Sequence, residues 1–231
     1  MTDSPAPLVL LDLDGTLTDS APGIVSSVAH AFRTLGVPVP DAAALRAFVG
    51  PPISASFPAH GVPPERLGEA VAAYRAAFTA GGMYDNSVYP GVVEALVRLR
   101  DAGCTLAVAT SKPEVYARPI CDRFGLSDLV DGVYGAPADS QPSSKALVIA
   151  HALAELGAAR VPGPARTVMV GDREHDVLGA AEHGIDCIGV TWGYASPGEL
   201  VEAGAVTLVD EPDALVTSVL DRLGLGVPRS A

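Results

Sequence analysis

The sequence is poor in positive charge. Its 15 lysines and arginines stand against 27 aspartates and glutamates, for a net charge of −12. No basic run or stripe gathers the cations, which argues against a nucleic-acid partner, since such partners are held through many neutralised phosphates. An acidic protein that takes a phosphate must build local positive potential from a metal, a lysine or helix amino termini. Cysteine is scarce too. Cys104, Cys121 and Cys187 are far apart and show no metal-site spacing, so they read as small buried hydrophobes in a reducing compartment. No apolar run exceeds strand length, and the start of the chain lacks a basic stretch followed by an apolar core. No membrane span or signal segment is expected. These absences together point to a soluble cytoplasmic protein.

What is present is a globular composition, 48% hydrophobic and 18% charged over 231 residues, enough for one domain or one domain with a smaller companion. Short apolar runs recur at Leu8–Leu11, Thr105–Ala109, Gly132–Tyr134, Thr167–Val170, Cys187–Val190 and Val206–Val209. Helical periodicity lies between them: Gly91 to Asp101, Glu114 to Phe124, Ser143 to Leu156 with Ser143 or Ser144 as cap, and Asp176 to His183 before Gly184. Alternating strands and helices predict an α/β fold with a Rossmann-like, doubly wound parallel sheet.

Residues 20–87 break this rhythm with three helical stretches, Pro22–Leu35, Asp41–Phe48 and Pro64–Ala80, and a Pro- and Gly-broken segment at 49–64. They read as a small helical domain inserted after the first strand. The core is then 1–19 and 88–231. Ser20–Gly23 and Gly81-Gly82 are candidate hinges, and the chain from about 226 reads as a loose tail.

Three strand ends carry the chemistry. Leu8–Leu11 runs into Asp12-Leu13-Asp14-Gly15-Thr16. Residues two apart on an extended chain share a side, so Asp12 and Asp14 both face the crevice at the carboxyl edge of the sheet, where open α/β folds bind ligands. Thr105–Ala109 ends in Thr110-Ser111-Lys112, and Thr167–Val170 ends in Gly171-Asp172 with Asp176 four residues on.

These residues, with Lys145, resemble the haloacid dehalogenase-like phosphohydrolase superfamily. Tyr89-Pro90-Gly91-Val92, Gly189 to Tyr194 and Glu199-Leu200 are similar to its phosphoglycolate-phosphatase-like branch, whose helical cap occupies the position of 20–87. The resemblance implies Asp12 as nucleophile and Asp14 as general acid and base. It implies Thr110 and Ser111 as phosphate ligands and Mg²⁺ held by the Asp12 carboxylate, the Asp14 carbonyl and Asp172, with Asp176 behind them. Relatives often have Lys-Pro at the third motif, whereas this chain has Lys145-Ala146. Lys145 fits the family spacing as the phosphate lysine and Lys112 is its rival. His175 is a poor magnesium ligand and is read as a satisfied or exposed histidine. Arg46 in the cap is the candidate specificity residue. The implied activity is hydrolysis of a small phosphorylated metabolite, phosphoglycolate first. A β-phosphoglucomutase-like phosphomutase, a 5'-nucleotidase or pyrophosphatase, and a non-catalytic phosphate-binding protein remain as alternatives, and the oligomeric state is left open.

Overall fold

The computed structural model describes residues 5–137 and 144–226. Ser143 and the expected tail from 227 lie outside them. In chain order the elements begin with β1 (Leu8–Leu11), β2 (Thr18–Asp19), α1 (Ala21–Leu35), α2 (Ala42–Arg46), α3 (Ile53–Ala59), α4 (Leu67–Ala80) and β3 (Ser87–Val88). They continue with α5 (Val92–Asp101), β4 (Thr105–Pro113), α6 (Glu114–Arg123), β5 (Gly132–Ala136), α7 (Lys145–Leu156), β6 (Thr167–Gly171) and α8 (Glu174–Ala181). The last four are β7 (Asp186–Val190), α9 (Glu199–Ala203), β8 (Thr207–Val209) and α10 (Pro212–Arg222).

Six strands form one parallel sheet in the order β5-β4-β1-β6-β7-β8. All four residues of β1 are 0% exposed, as expected for a strand covered on both faces. Leu8 and Leu10 pack with Val148, Ile149 and Ala152 of α7 and Val177 and Ala180 of α8. Val9 and Leu11 alternate to the other face. β1 therefore lies between β4 and β6, and the strand order reverses there. That reversal opens a crevice at the carboxyl ends of these three strands.

The chain divides into two compact units, Thr18–Ser87 and the remainder on either side of it. The inserted unit has its own core. Phe32, Phe48 and Phe57 meet with ring centroids 5.3–6.0 Å apart, and Tyr74 stacks on Phe78 at 5.4 Å.

Several elements differ from the sequence expectation. β4 continues through the polar residues Thr110 to Pro113, and α9 and α10 had no assignment. The two-residue strands β2 and β3 are too short for periodicity to reveal. Pro64–Arg66 is a separate 3₁₀ turn before α4. Both candidate hinge segments lie within the inserted unit. Gly23 lies in α1 and donates its N–H to the Asp85 carbonyl at 2.9 Å, while a Cβ on it would fall 1.8 Å from the Gly82 carbonyl oxygen. At Gly23 and Gly82 the absence of a Cβ allows close packing inside the inserted unit.

Candidate active site

Asp12 follows β1 directly, and its N–H continues the ladder to the Val170 carbonyl at 2.9 Å. The backbone then turns at Gly15, whose φ of +86° is costly for a residue with a side chain. A Cβ there would also lie 2.2 Å from Asp172 Oδ2. This close turn carries the Asp-x-Asp segment past the end of β6. Thr16 Oγ1 donates to Asp172 Oδ1 at 3.2 Å, and the Tyr194 N–H donates to Asp172 Oδ2 at 2.7 Å. Trp192 Nε1 donates to the Thr16 carbonyl at 3.1 Å.

Lys145, the first residue of α7, brings the strand ends together. Ser144 caps this helix by accepting from the Leu147 N–H. The Lys145 ammonium lies 2.6 Å from Asp12 Oδ1 and 2.6 Å from Asp176 Oδ1. Asp176 Oδ2 accepts from the Arg173 N–H at 3.1 Å, so both of its oxygens are engaged by protein donors. Burial alone would lower the Lys145 pKa, but Asp12 and Asp176 outweigh it and hold the ammonium charged.

The carboxylates respond in the opposite sense. Burial pushes Asp12 up to about 6 against the pull of Lys145, and Asp176 and Asp14 add to the rise. Burial, then Asp176 and Asp12, holds Asp172 well above the ordinary range. One ammonium is too little charge for three buried acids. Oxygens of Asp12, Asp172 and Asp176 all lie within 4.8 Å of one another. An all-oxygen, charge-deficient donor set of this kind fits a hard divalent cation.

Thr110 is buried at the crevice edge of β4 and accepts the Lys112 N–H at 3.2 Å, whereas Ser111 is exposed. Lys112 does not join Lys145. It lies 2.7 Å from Asp14 Oδ2. His175 is exposed. Arg46 is exposed at the end of α2 in the inserted unit, and the other candidates belong to the core unit.

Two supports were not assigned from sequence. Glu199 accepts from Arg173 Nε at 2.6 Å, from the Glu174 N–H at 3.0 Å and from the Ser196 N–H at 2.9 Å. Burial alone would raise its pKa, but these bonds hold it below the usual range and tie Arg173 and the start of α8, between Asp172 and Asp176, to α9. The Tyr194 N–H on Asp172 is the other, and a main-chain donor has no side-chain signature.

Comparison with known proteins places this geometry. A family model described as haloacid dehalogenase-like hydrolase matches residues 9–190. The chain is 45% identical over 218 residues to the tyrosine-protein kinase PtkA of Mycobacterium tuberculosis, covering 94% of this chain and 72% of that protein. It is 43% identical over 195 residues to a 5'-nucleotidase of Pseudomonas aeruginosa, covering 84% and 86%. Identity to a phosphoglycolate phosphatase of Cupriavidus necator is 32% over 216 residues, covering 91% and 92%. The crystal structure of a predicted phosphatase from Clostridium acetobutylicum superposes with a TM-score of 0.85 at 40% identity, covering 94% of this chain and all of that one.

Proposed function

The chain belongs to the haloacid dehalogenase-like hydrolases, and from that premise we propose that it is a magnesium-dependent phosphatase acting on a small phosphomonoester through an aspartyl-phosphate on Asp12. One observation carries the reading: Asp12, at the tip of a fully buried strand, lies 2.6 Å from a buried ammonium, with a second carboxylate two residues on and Asp172 across the crevice.

A carboxylate oxygen of Asp12 attacks phosphorus, and the bond to the leaving oxygen breaks. Asp14 gives that oxygen its proton. Water then attacks the acyl phosphate, Asp14 takes the water's proton, and the phosphorus–Asp12 bond breaks to release inorganic phosphate. The Thr110 hydroxyl and the Ser111 amide hold phosphate oxygens, and Lys145 offsets the charge that develops on them. The Asp12 carboxylate, the Asp14 carbonyl and Asp172 would hold Mg²⁺, which when bound supplies the positive charge that lets a carboxylate approach a phosphate. Asp176 steadies Lys145.

In this reading residues 20–87 are the cap that excludes water during transfer, and Arg46 meets the part of the substrate beyond the phosphate. Phosphoglycolate and nucleoside monophosphates are the first candidates, in line with the names of the relatives. A cytoplasmic location suits three free, buried thiols, two of which burial pushes up to about 11 and about 12.

The 45% relative named a tyrosine-protein kinase favours a second reading, in which a hydroxyl other than water takes the phosphoryl group. Asp14 would activate either acceptor in the same way. Purified protein with Mg²⁺ should release inorganic phosphate from one or more members of a panel of phosphoglycolate, nucleoside monophosphates and sugar phosphates. No release from any of them, together with phosphate transfer from ATP to a tyrosine peptide, would reverse the order of the two readings.

A further inference from the structure

Lys112 has no task in this scheme, yet it is only 8% exposed. Its position begins with a break in strand pairing. β4 pairs with β5 at Thr110↔Gly135 and next at Pro113↔Ala136, so Ser111 and Lys112 stand opposite no residue of β5. Irregularities of this kind bend a strand and re-aim a side chain. The bend is fixed at several points. Thr110 Oγ1 accepts the Lys112 N–H at 3.2 Å. A Glu114 oxygen accepts the Gly135 N–H at 3.1 Å. Gly135 also lets the bent strand approach, since a Cβ there would fall 2.6 Å from the Lys112 carbonyl oxygen.

The outcome is an ion pair across 98 residues of sequence. Lys112 Nζ lies 2.7 Å from Asp14 Oδ2, with the two side chains 5% and 14% exposed. The other oxygen, Asp14 Oδ1, is buried and has no hydrogen-bond partner among the described residues. Folded proteins rarely leave such an acceptor unmatched.

We propose that Lys112 is the positioning residue for Asp14: by holding Oδ2 it aims Oδ1 at the leaving-group oxygen, and it serves proton transfer rather than grip on the phosphate. This inference rests on the phosphatase reading above.

The test compares phenyl phosphate with p-nitrophenyl phosphate, esters of similar shape. Phenolate needs a proton as it departs and nitrophenolate hardly does. Lys112→Met should lower kcat on phenyl phosphate about fivefold or more beyond its effect on p-nitrophenyl phosphate, with KM for both held within about threefold. This is the pattern Asp14→Asn should give. Lys112→Arg, which keeps a cation within reach of the carboxylate, should restore most of the difference. Gly135→Ala leaves the lysine intact but displaces its backbone, and it should reproduce the selective loss. It also decides the matter by the same ratio if Lys112→Met fails to fold. Equal kcat losses on both esters, or a KM rise above about tenfold on both, overturn the inference and leave the phosphatase reading standing. A parent protein inactive on both esters sinks the two together.

Discussion

Replacing Lys145 with methionine keeps the side chain's length and removes its charge. In the parent, Nζ lies 2.6 Å from a carboxylate oxygen of Asp12 and 2.6 Å from one of Asp176. The three side chains are 2%, 11% and 3% exposed, so water cannot replace the lost partner. Breaking a buried pair by removing one member costs roughly 3–5 kcal/mol, because a charge is left uncompensated. At about 2–4 °C per kcal/mol for a chain of this size, the unfolding midpoint should fall by roughly 6–20 °C. The chain's single tryptophan, Trp192, lies in the core unit and donates to the Thr16 carbonyl. Its fluorescence therefore follows the unit that carries the site.

The deficit should depend on pH in one direction. Asp12 is raised from 3.8 to about 6 in the folded state, by burial first and against the lowering effect of Lys145. A group raised on folding contributes its stability below the unfolded value and loses it as pH rises through the folded value. Without Lys145 the folded value moves further up. The gap between Lys145→Met and parent, measured in chelator, should grow as pH rises to 7.5 and should narrow on acidification toward pH 4. Magnesium at a hundred times its Kd stabilises a folded protein by about 2.7 kcal/mol, and the variant should gain at least as much as the parent. A loss under about 1 kcal/mol at pH 7.5, or a gap that widens on acidification, would refute the reasoning.

Asp12→Asn should abolish turnover while raising or preserving the melting temperature, since the amide keeps the shape and removes a buried charge; activity within about tenfold of the parent, only ~1.4 kcal/mol of barrier, would show that Asp12 is not the nucleophile. Exhaustive chelation should lower phosphatase activity by at least about a hundredfold and added Mg²⁺ should restore it, whereas Ca²⁺, which prefers more ligands at longer distances, should restore little; full activity in chelator sinks the metal assignment. Arg46→Ala should raise KM for the physiological ester and spare p-nitrophenyl phosphate, and equal losses on both would remove Arg46 from substrate recognition.

The strand ends at Asp12 and Asp172 can be read from sequence because each closes an apolar run, and a buried strand has no use for an unpartnered acid at its tip. The neighbourhood of β1 follows from topology, once alternating elements imply a parallel sheet. What sits on polar or very short stretches stays hidden. Thr110 to Pro113 read as a turn, yet they remain in β4. Gly23 and Gly82 read as freedom, yet each packs too closely for a Cβ, because a glycine in sequence does not distinguish a flexible link from such a contact. The two lysines show where the limit lies. Lys112 and Lys145 each stand between an apolar run and a helix, and spacing alone ranks them for one role. Their different partners depend on the register break at Thr110–Pro113 for one and on the start of α7 for the other. A pairing shift of two residues leaves no trace in local periodicity. It sets Lys112 against Asp14, while the start of α7 sets Lys145 against Asp12 and Asp176, and what looks like a choice between rivals becomes two separate positions.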